Sequence, residues 1–185
     1  GLVRSEMCIR DTLTDGPTIA LRRKADRVDR PTDGTLHVLD YKTGGTTAYR
    51  GLSAEDPHQG GRRLQLAVYA QAARQHTAEP DAPVRAEYWF TSAKGRFAKL
   101  GYEVDAELLS QVSDATTTIV NSIESGLFAP HPKPHDTSPF IECHACDPDG
   151  LGTTEVLRHW ERKLEAPPLQ PYLELIAPPA QRDAP

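Results

Sequence analysis

The residues best placed to do chemistry are Asp40 and Lys42, within Leu36-His37-Val38-Leu39-Asp40-Tyr41-Lys42-Thr43-Gly44. The stretch reads as a buried strand with a glycine exit. On a strand, residues two apart share a face, so Leu36, Val38, Asp40 and Lys42 point one way and His37, Leu39 and Tyr41 the other. Asp40 and Lys42 then lie side by side, roughly 6–7 Å apart at the backbone from the strand rise. An acid is costly to bury alone, and an acid beside a base at a strand end suits a metal and an anion. The second carboxylate that a metal wants is offered by Asp26, on the strand preceding Pro31-Thr32-Asp33-Gly34. An odd-length loop or a bulge over 31–35 would bring Asp26 opposite Asp40, whereas a two-residue Asp33-Gly34 turn would set it against Tyr41. A one-residue slip reverses every face, so the chemistry requires the odd register. Two facing carboxylates fit a hard divalent cation such as Mg²⁺. Lys42 would steady charge on a phosphoryl group or orient an attacking water. Taken alone, an Asp-x-Lys pair is more often a weak exposed ion pair on a hairpin, so its neighbours must decide.

The elements that must position these residues follow from the pattern around them. A first strand is expected over 3–13, a turn at Asp15-Gly16-Pro17, and a second strand over 18–30 that becomes charged at its far end. After the Asp40 strand, residues 43–61 carry Gly, Thr, Ser, Asp, Pro and His with few apolar anchors. They are expected to form a long mobile loop, and long loops inside compact domains are often functional. Residues 62–76 form the clearest helix, rich in Ala, Leu and Gln. Leu64, Ala67, Val68 and Gln71 form its expected apolar stripe, and Gln65 and Tyr69 are neighbours one turn apart. Strands are expected over 84–92 and 96–104, then a helix over 106–125 with Asp105 as N-cap and Gly126 as its stop. Leu108, Leu109, Val112, Ile119 and Ile123 give that helix an apolar face. Residues 127–152 read as loop, 153–165 as a polar helix, 169–176 as a short helix and 177–185 as a frayed end.

The chain has 185 residues, 38% hydrophobic and 25% charged, enough for one domain with a real core. Its net charge of -5 argues against a protein that simply coats polyanions, although a basic patch can coexist with an acidic whole. No apolar run approaches the ~20 residues of a membrane span and no signal-peptide pattern is present, and the odd cysteine count fits a cytoplasmic setting, which is the expectation. Three cysteines imply no disulfide framework.

Lys24-Ala25-Asp26-Arg27-Val28-Asp29-Arg30, Asp33-Gly34, Val38 to Gly44, and Gln65-Leu66-Ala67-Val68-Tyr69 together resemble the RecB-type branch of the PD-(D/E)XK nucleases. That branch includes the nuclease domains of RecB, AddA and AddB recombination proteins, stand-alone exonucleases and the CRISPR-adaptation nucleases. The likeness is strong over 18–72 and extends weakly to 165. It implies an α/β fold with a restriction-endonuclease-like core, a central mixed β-sheet flanked by helices. One nuclease domain would span 1–165, with 166–185 as a C-terminal extension. The resemblance makes Asp26 and Asp40 metal ligands, adds the Tyr41 carbonyl, and makes Lys42 the catalytic lysine. Gln65 and Tyr69 match the Q-x-x-x-Y signature beside the site, with Arg62 and Arg63 as supporting DNA contacts. The implied cofactor is Mg²⁺ or Mn²⁺, the substrate DNA, single-stranded or at duplex ends, and the partner a helicase.

The chain departs from that pattern in three places. Arg23 stands where relatives carry a glycine. The upstream helix that brings a His or Glu to the metal does not precede Val3, and Glu6 is the acid on the first strand that would substitute. Some relatives hold an iron–sulfur cluster, which normally needs four thiolates. Here Cys143 and Cys146 match, Gly152 stands at a third position and Cys8 is remote, so no complete cluster is expected. Zinc at Cys143 and Cys146 with His131, His135 or His144 stays an alternative. The competing readings are a catalytically silent DNA-binding module of the same fold and a CRISPR-adaptation-type nuclease.

Overall fold

The computed structural model describes residues 6–12, 18–77, 81–129 and 153–177. The loop carrying Cys143, Cys146, His131, His135 and His144 lies outside them, as do the turn at 15–17 and most of the frayed end. The chain divides into two compact units, Gly1–Thr117 with Ile176–Pro185, and Thr118–Leu175. The candidate site belongs to the first.

That unit holds two sheets. Strands β1 (Glu6–Thr12) and β2 (Thr18–Lys24) pair antiparallel as a two-stranded sheet. Strands β3 (Arg27–Asp29), β4 (Leu36–Lys42), β5 (Val84–Phe90) and β6 (Lys99–Val104) form a four-stranded sheet in chain order. Within it β3 and β6 run antiparallel to their neighbours, while β4 and β5 are parallel. Parallel neighbours need a crossover, and helix α1 (Gln65–Thr77) supplies it.

The strand expected over 18–30 is therefore two strands. It breaks at Ala25-Asp26: Ala25 is buried in the core while Asp26 is exposed. The break lets one continuous run serve both sheets. β3 and β4 pair with Val28 opposite Val38 and Asp29 opposite His37, closing a turn in which the Gly34 amide donates to the Pro31 carbonyl. This is the odd register that the chemistry demands. Gly34 takes φ +83°, which only glycine adopts at little cost.

The core lies on the face of the four-stranded sheet that carries Leu36, Val38, Val84, Ala86, Tyr88 and Phe90, under Leu66, Ala70 and Ala73 of α1. Helix α2 (Ala106–Glu124) adds Leu108 and Val112. Its cap is as expected, the Leu108 amide donating to Asp105 Oδ1 at 2.8 Å, and Gly126 ends it at φ +72°. Ile123, expected on the apolar face, is exposed.

Helix α1 starts at Gln65, three residues later than expected. Gly60 and Gly61 hold positive φ, the Arg63 amide is bound to the His58 carbonyl, and Arg62 Nε to the Gln59 carbonyl, so the preceding turn cannot be helical. Its buried stripe is Leu66, Tyr69, Ala70 and Ala73 with Ala67 and Ala72, not Leu64–Val68–Gln71, which are half-buried. The loop over 43–61 is pinned rather than free. Pro57, His58 and Gln59 are buried, Tyr102 Oη donates to the Pro57 carbonyl at 3.3 Å, and Tyr49 packs edge-on against Tyr88 and Phe90. The strand expected from residue 96 starts at Lys99, because Arg96 and Phe97 take φ +54° and +50° in the turn before it.

In the second unit, α3 (Thr153–Lys163) and α4 (Gln170–Ile176, its last residue assigned to the first unit) match the two expected helices within a few residues. Trp160 and Tyr172 meet edge to face.

Candidate functional site

The β4 strand is buried through Leu36 and Val38, and its next inward residue is Asp40, 5% exposed. A carboxylate in that position must be paired, and it is. Oδ1 accepts from Gln65 Nε2 at 2.9 Å and Oδ2 is ion-paired with Lys42 Nζ. Lys42 Nζ also donates to Gln65 Oε1 at 3.2 Å and sits 4.9 Å from the centre of the Tyr88 ring. Gln65 Nε2 donates further to Tyr69 Oη at 2.7 Å. The result is a closed network in which one amide, on the first turn of α1, touches the acid, the base and a buried tyrosine.

Asp26 reaches the site by a different route. It sits at the bend between β2 and β3, and continuing the β3–β4 register by one pair sets it opposite Asp40. Its Oδ2 accepts the Tyr41 amide at 2.8 Å. On a strand a residue's N–H and C=O point to the same edge, so the Tyr41 carbonyl faces the edge that Asp26 occupies. Burial, the largest influence, pushes the Asp40 carboxyl above the usual carboxylate range. Lys42 pulls it back, and the nearby charge of Asp26 adds to the rise.

The remaining sequence-predicted residues are placed less directly. Glu6 stands opposite Lys24 in backbone register, just ahead of Asp26. Arg62 is exposed and Arg63 half-buried, both in the turn before α1 rather than on it. The Arg63 guanidinium donates to the Ala48 carbonyl at 2.8 Å and lies 4.4 Å over the Tyr49 ring. Tyr88 and Tyr49 were not singled out by the sequence. Their signal was the register that puts Tyr88 beside Asp40, which no local pattern reveals.

The donor set at the end of β4 is one that a divalent cation could use. Two aspartates stand opposite each other in backbone register, the charge of Asp26 adding to the rise at Asp40, and Mg²⁺ takes one or two carboxylates and keeps waters. The fit is good for such an ion. Among the described residues no group of three or more His, Cys, Asp or Glu is assembled.

A family model described as the PD-(D/E)XK nuclease superfamily matches residues 2–149. The chain belongs to that superfamily, and its mixed four-stranded sheet with packed helices is the restriction-endonuclease-like α/β fold. No curated protein and no solved structure matches it.

Proposed function

We propose that this superfamily member is a divalent-metal-dependent deoxyribonuclease that hydrolyses phosphodiester bonds at Asp26, Asp40 and Lys42. The observation that carries the reading is the single network in which Gln65 holds both Asp40 and Lys42, with Asp26 set across from them. Asp26, Asp40 and the Tyr41 carbonyl would hold Mg²⁺ or Mn²⁺, with Glu6 as a further ligand. When bound, the cation supplies Lewis-acid polarisation of the phosphate and a more acidic water. Lys42 faces the same space and donates to developing negative charge on the phosphoryl oxygens. Gln65 fixes the direction of the Lys42 ammonium, and Tyr69 fixes Gln65. Arg62, exposed beside the network, contacts the phosphate backbone, which positions DNA without reading its sequence, and Arg63 supports the site from its place over Tyr49.

The finer reading is a RecB-type exonuclease acting on DNA ends during recombination and repair, beside a helicase and in the cytoplasm. The order and spacing of Asp26, Asp40-x-Lys42 and Gln65-x-x-x-Tyr69 support it. No helix among the described residues is long and apolar enough to cross a membrane.

End-labelled single- and double-stranded DNA, incubated with Mg²⁺ or Mn²⁺, tests both levels. Cleavage is expected, and Asp40→Ala and Lys42→Ala should each lower it by roughly 10²–10³-fold or more. Retained activity in both variants sinks the site assignment, and internal products from circular DNA sink the exonuclease. The absence of a third clustered acid among the described residues favours one alternative, a DNA-binding module without activity. That reading wins if DNA is bound but stays intact with both metals.

A further inference from the structure

One cavity of the first unit shares two of its walls with the Asp40–Lys42 site. Its volume is about 350 Å³, and Tyr49, Arg63, Gln65, Val68, Tyr88 and Thr116 contribute to its lining. Gln65 is the residue that holds Asp40 and Lys42. Tyr88 is the ring against which the Lys42 ammonium rests. A phosphate neutralised at Lys42 therefore has this cavity as its immediate neighbour, and the nucleosides on either side of that phosphate are the groups within reach.

The lining matches a nucleobase better than a second phosphate or an apolar ligand. The Arg63 guanidinium over Tyr49, with Tyr49 edge-on to Tyr88 at 4.8 Å, makes a cationic aromatic wall. Unstacked bases settle on such aromatic rings and guanidinium planes. Leu64 and Val68 add apolar surface, and no described carboxylate lines the space. Arg63 is held in place by its bond to the Ala48 carbonyl, so the wall is set before a ligand arrives. The volume is at the small end of the roughly 300–1,000 Å³ range of ligand pockets, room for one nucleoside. Burying a base there requires that it leave its stack, which is least costly for a nucleotide already unpaired.

We propose that this cavity receives the base of an unpaired nucleotide next to the phosphodiester cut at Asp40 and Lys42, so that single-stranded ends are preferred over paired ones. The proposal rests on the nuclease reading above and names the substrate of that site.

Two single-stranded oligonucleotides of equal length, one intact and one carrying abasic residues, test it. Binding is read by fluorescence anisotropy in chelator, and cleavage separately with Mn²⁺. The intact strand is expected to bind at least roughly tenfold more tightly than the abasic one, and to be cut faster than the same strand in a blunt duplex. Val68→Phe fills the cavity and should bring the intact strand down to the affinity of the abasic one. Thr116→Phe fills it from the other side and replaces Val68→Phe if a thermal melt shows that variant unfolded. Equal binding of the two strands by the wild type overturns the proposal, and so does full discrimination by a folded, cavity-filled variant. Discrimination in binding without cleavage of either strand overturns the nuclease reading alone and leaves the base pocket standing.

Discussion

Asp40 carries opposed pulls on its proton. Burial and Asp26 favour the neutral acid, and Lys42 favours the carboxylate, with the balance towards a raised pKa. In the metal-free protein the folded state therefore holds this proton more tightly than the unfolded chain. Between the ordinary aspartate value and the raised one, the native state carries the extra proton, and stability falls as pH rises through that window. Asp40→Asn keeps the shape and removes the charge. It should flatten this slope and melt above wild type at neutral pH in chelator. A lower melting temperature than wild type would mean that the Lys42 pair outweighs burial. Much at this scale was legible. Alternation alone put Asp40 and Lys42 on one face, and helical spacing put Gln65 beside Tyr69. What strand and helix periodicity could not supply was the contact between them, because Gln65 and Asp40 are joined only when α1 folds back over the sheet.

The elements are arranged to hold the exit of β4 as firmly as its entry. After Lys42, the Thr43 carbonyl accepts from Ser92 Oγ at 2.9 Å, and the Lys42 carbonyl from the Thr91 amide at 2.9 Å. Gly95 closes this junction: a Cβ there would stand 2.6 Å from Phe90 Cβ and 2.8 Å from the Gly44 carbonyl oxygen. Gly95→Ala must push one of them away. It should destabilise the protein by about 1–3 kcal/mol and slow cleavage by displacing the end of β4. Urea unfolding and the DNA assay check the two effects, and wild-type values in both would contradict the tight packing. Element existence and order were legible from turn residues and periodicity. The split of residues 18–30 was not, since no Gly or Pro marks the break at Ala25-Asp26. The pinning of residues 43–61 was equally hidden, because the residues that go inward include His58 and Gln59, polar types that composition assigns to the surface.

At the scale of the molecule, a net charge of -5 means that DNA is not drawn in by the field of the whole protein. Under the proposed function, attraction would be local, at Lys42, Arg62 and a bound cation. A cation that binds only the folded state stabilises it by mass action, about 2.7 kcal/mol at a hundred times its Kd. Mn²⁺ should therefore raise the melting temperature in a concentration-dependent way, and Asp26→Asn should abolish most of that rise. An unchanged response in Asp26→Asn would remove Asp26 from the metal site. The sequence predicted an odd register between β3 and β4, and that register makes this test sharp, because it leaves Asp26 no structural partner except the Tyr41 amide among the bonds described.

The bend at Ala25-Asp26 has one more consequence. It is the junction between a small sheet and a large one, and Asp26 sits on the junction itself. The Glu6–Thr12 strand is joined to the site twice, through Thr18–Lys24 to Asp26 and through its own packing on helix α1, which carries Gln65. The proposed pairing of Asp26 with Asp40 would thus depend on the pose of the small sheet as well as on the register of the large one.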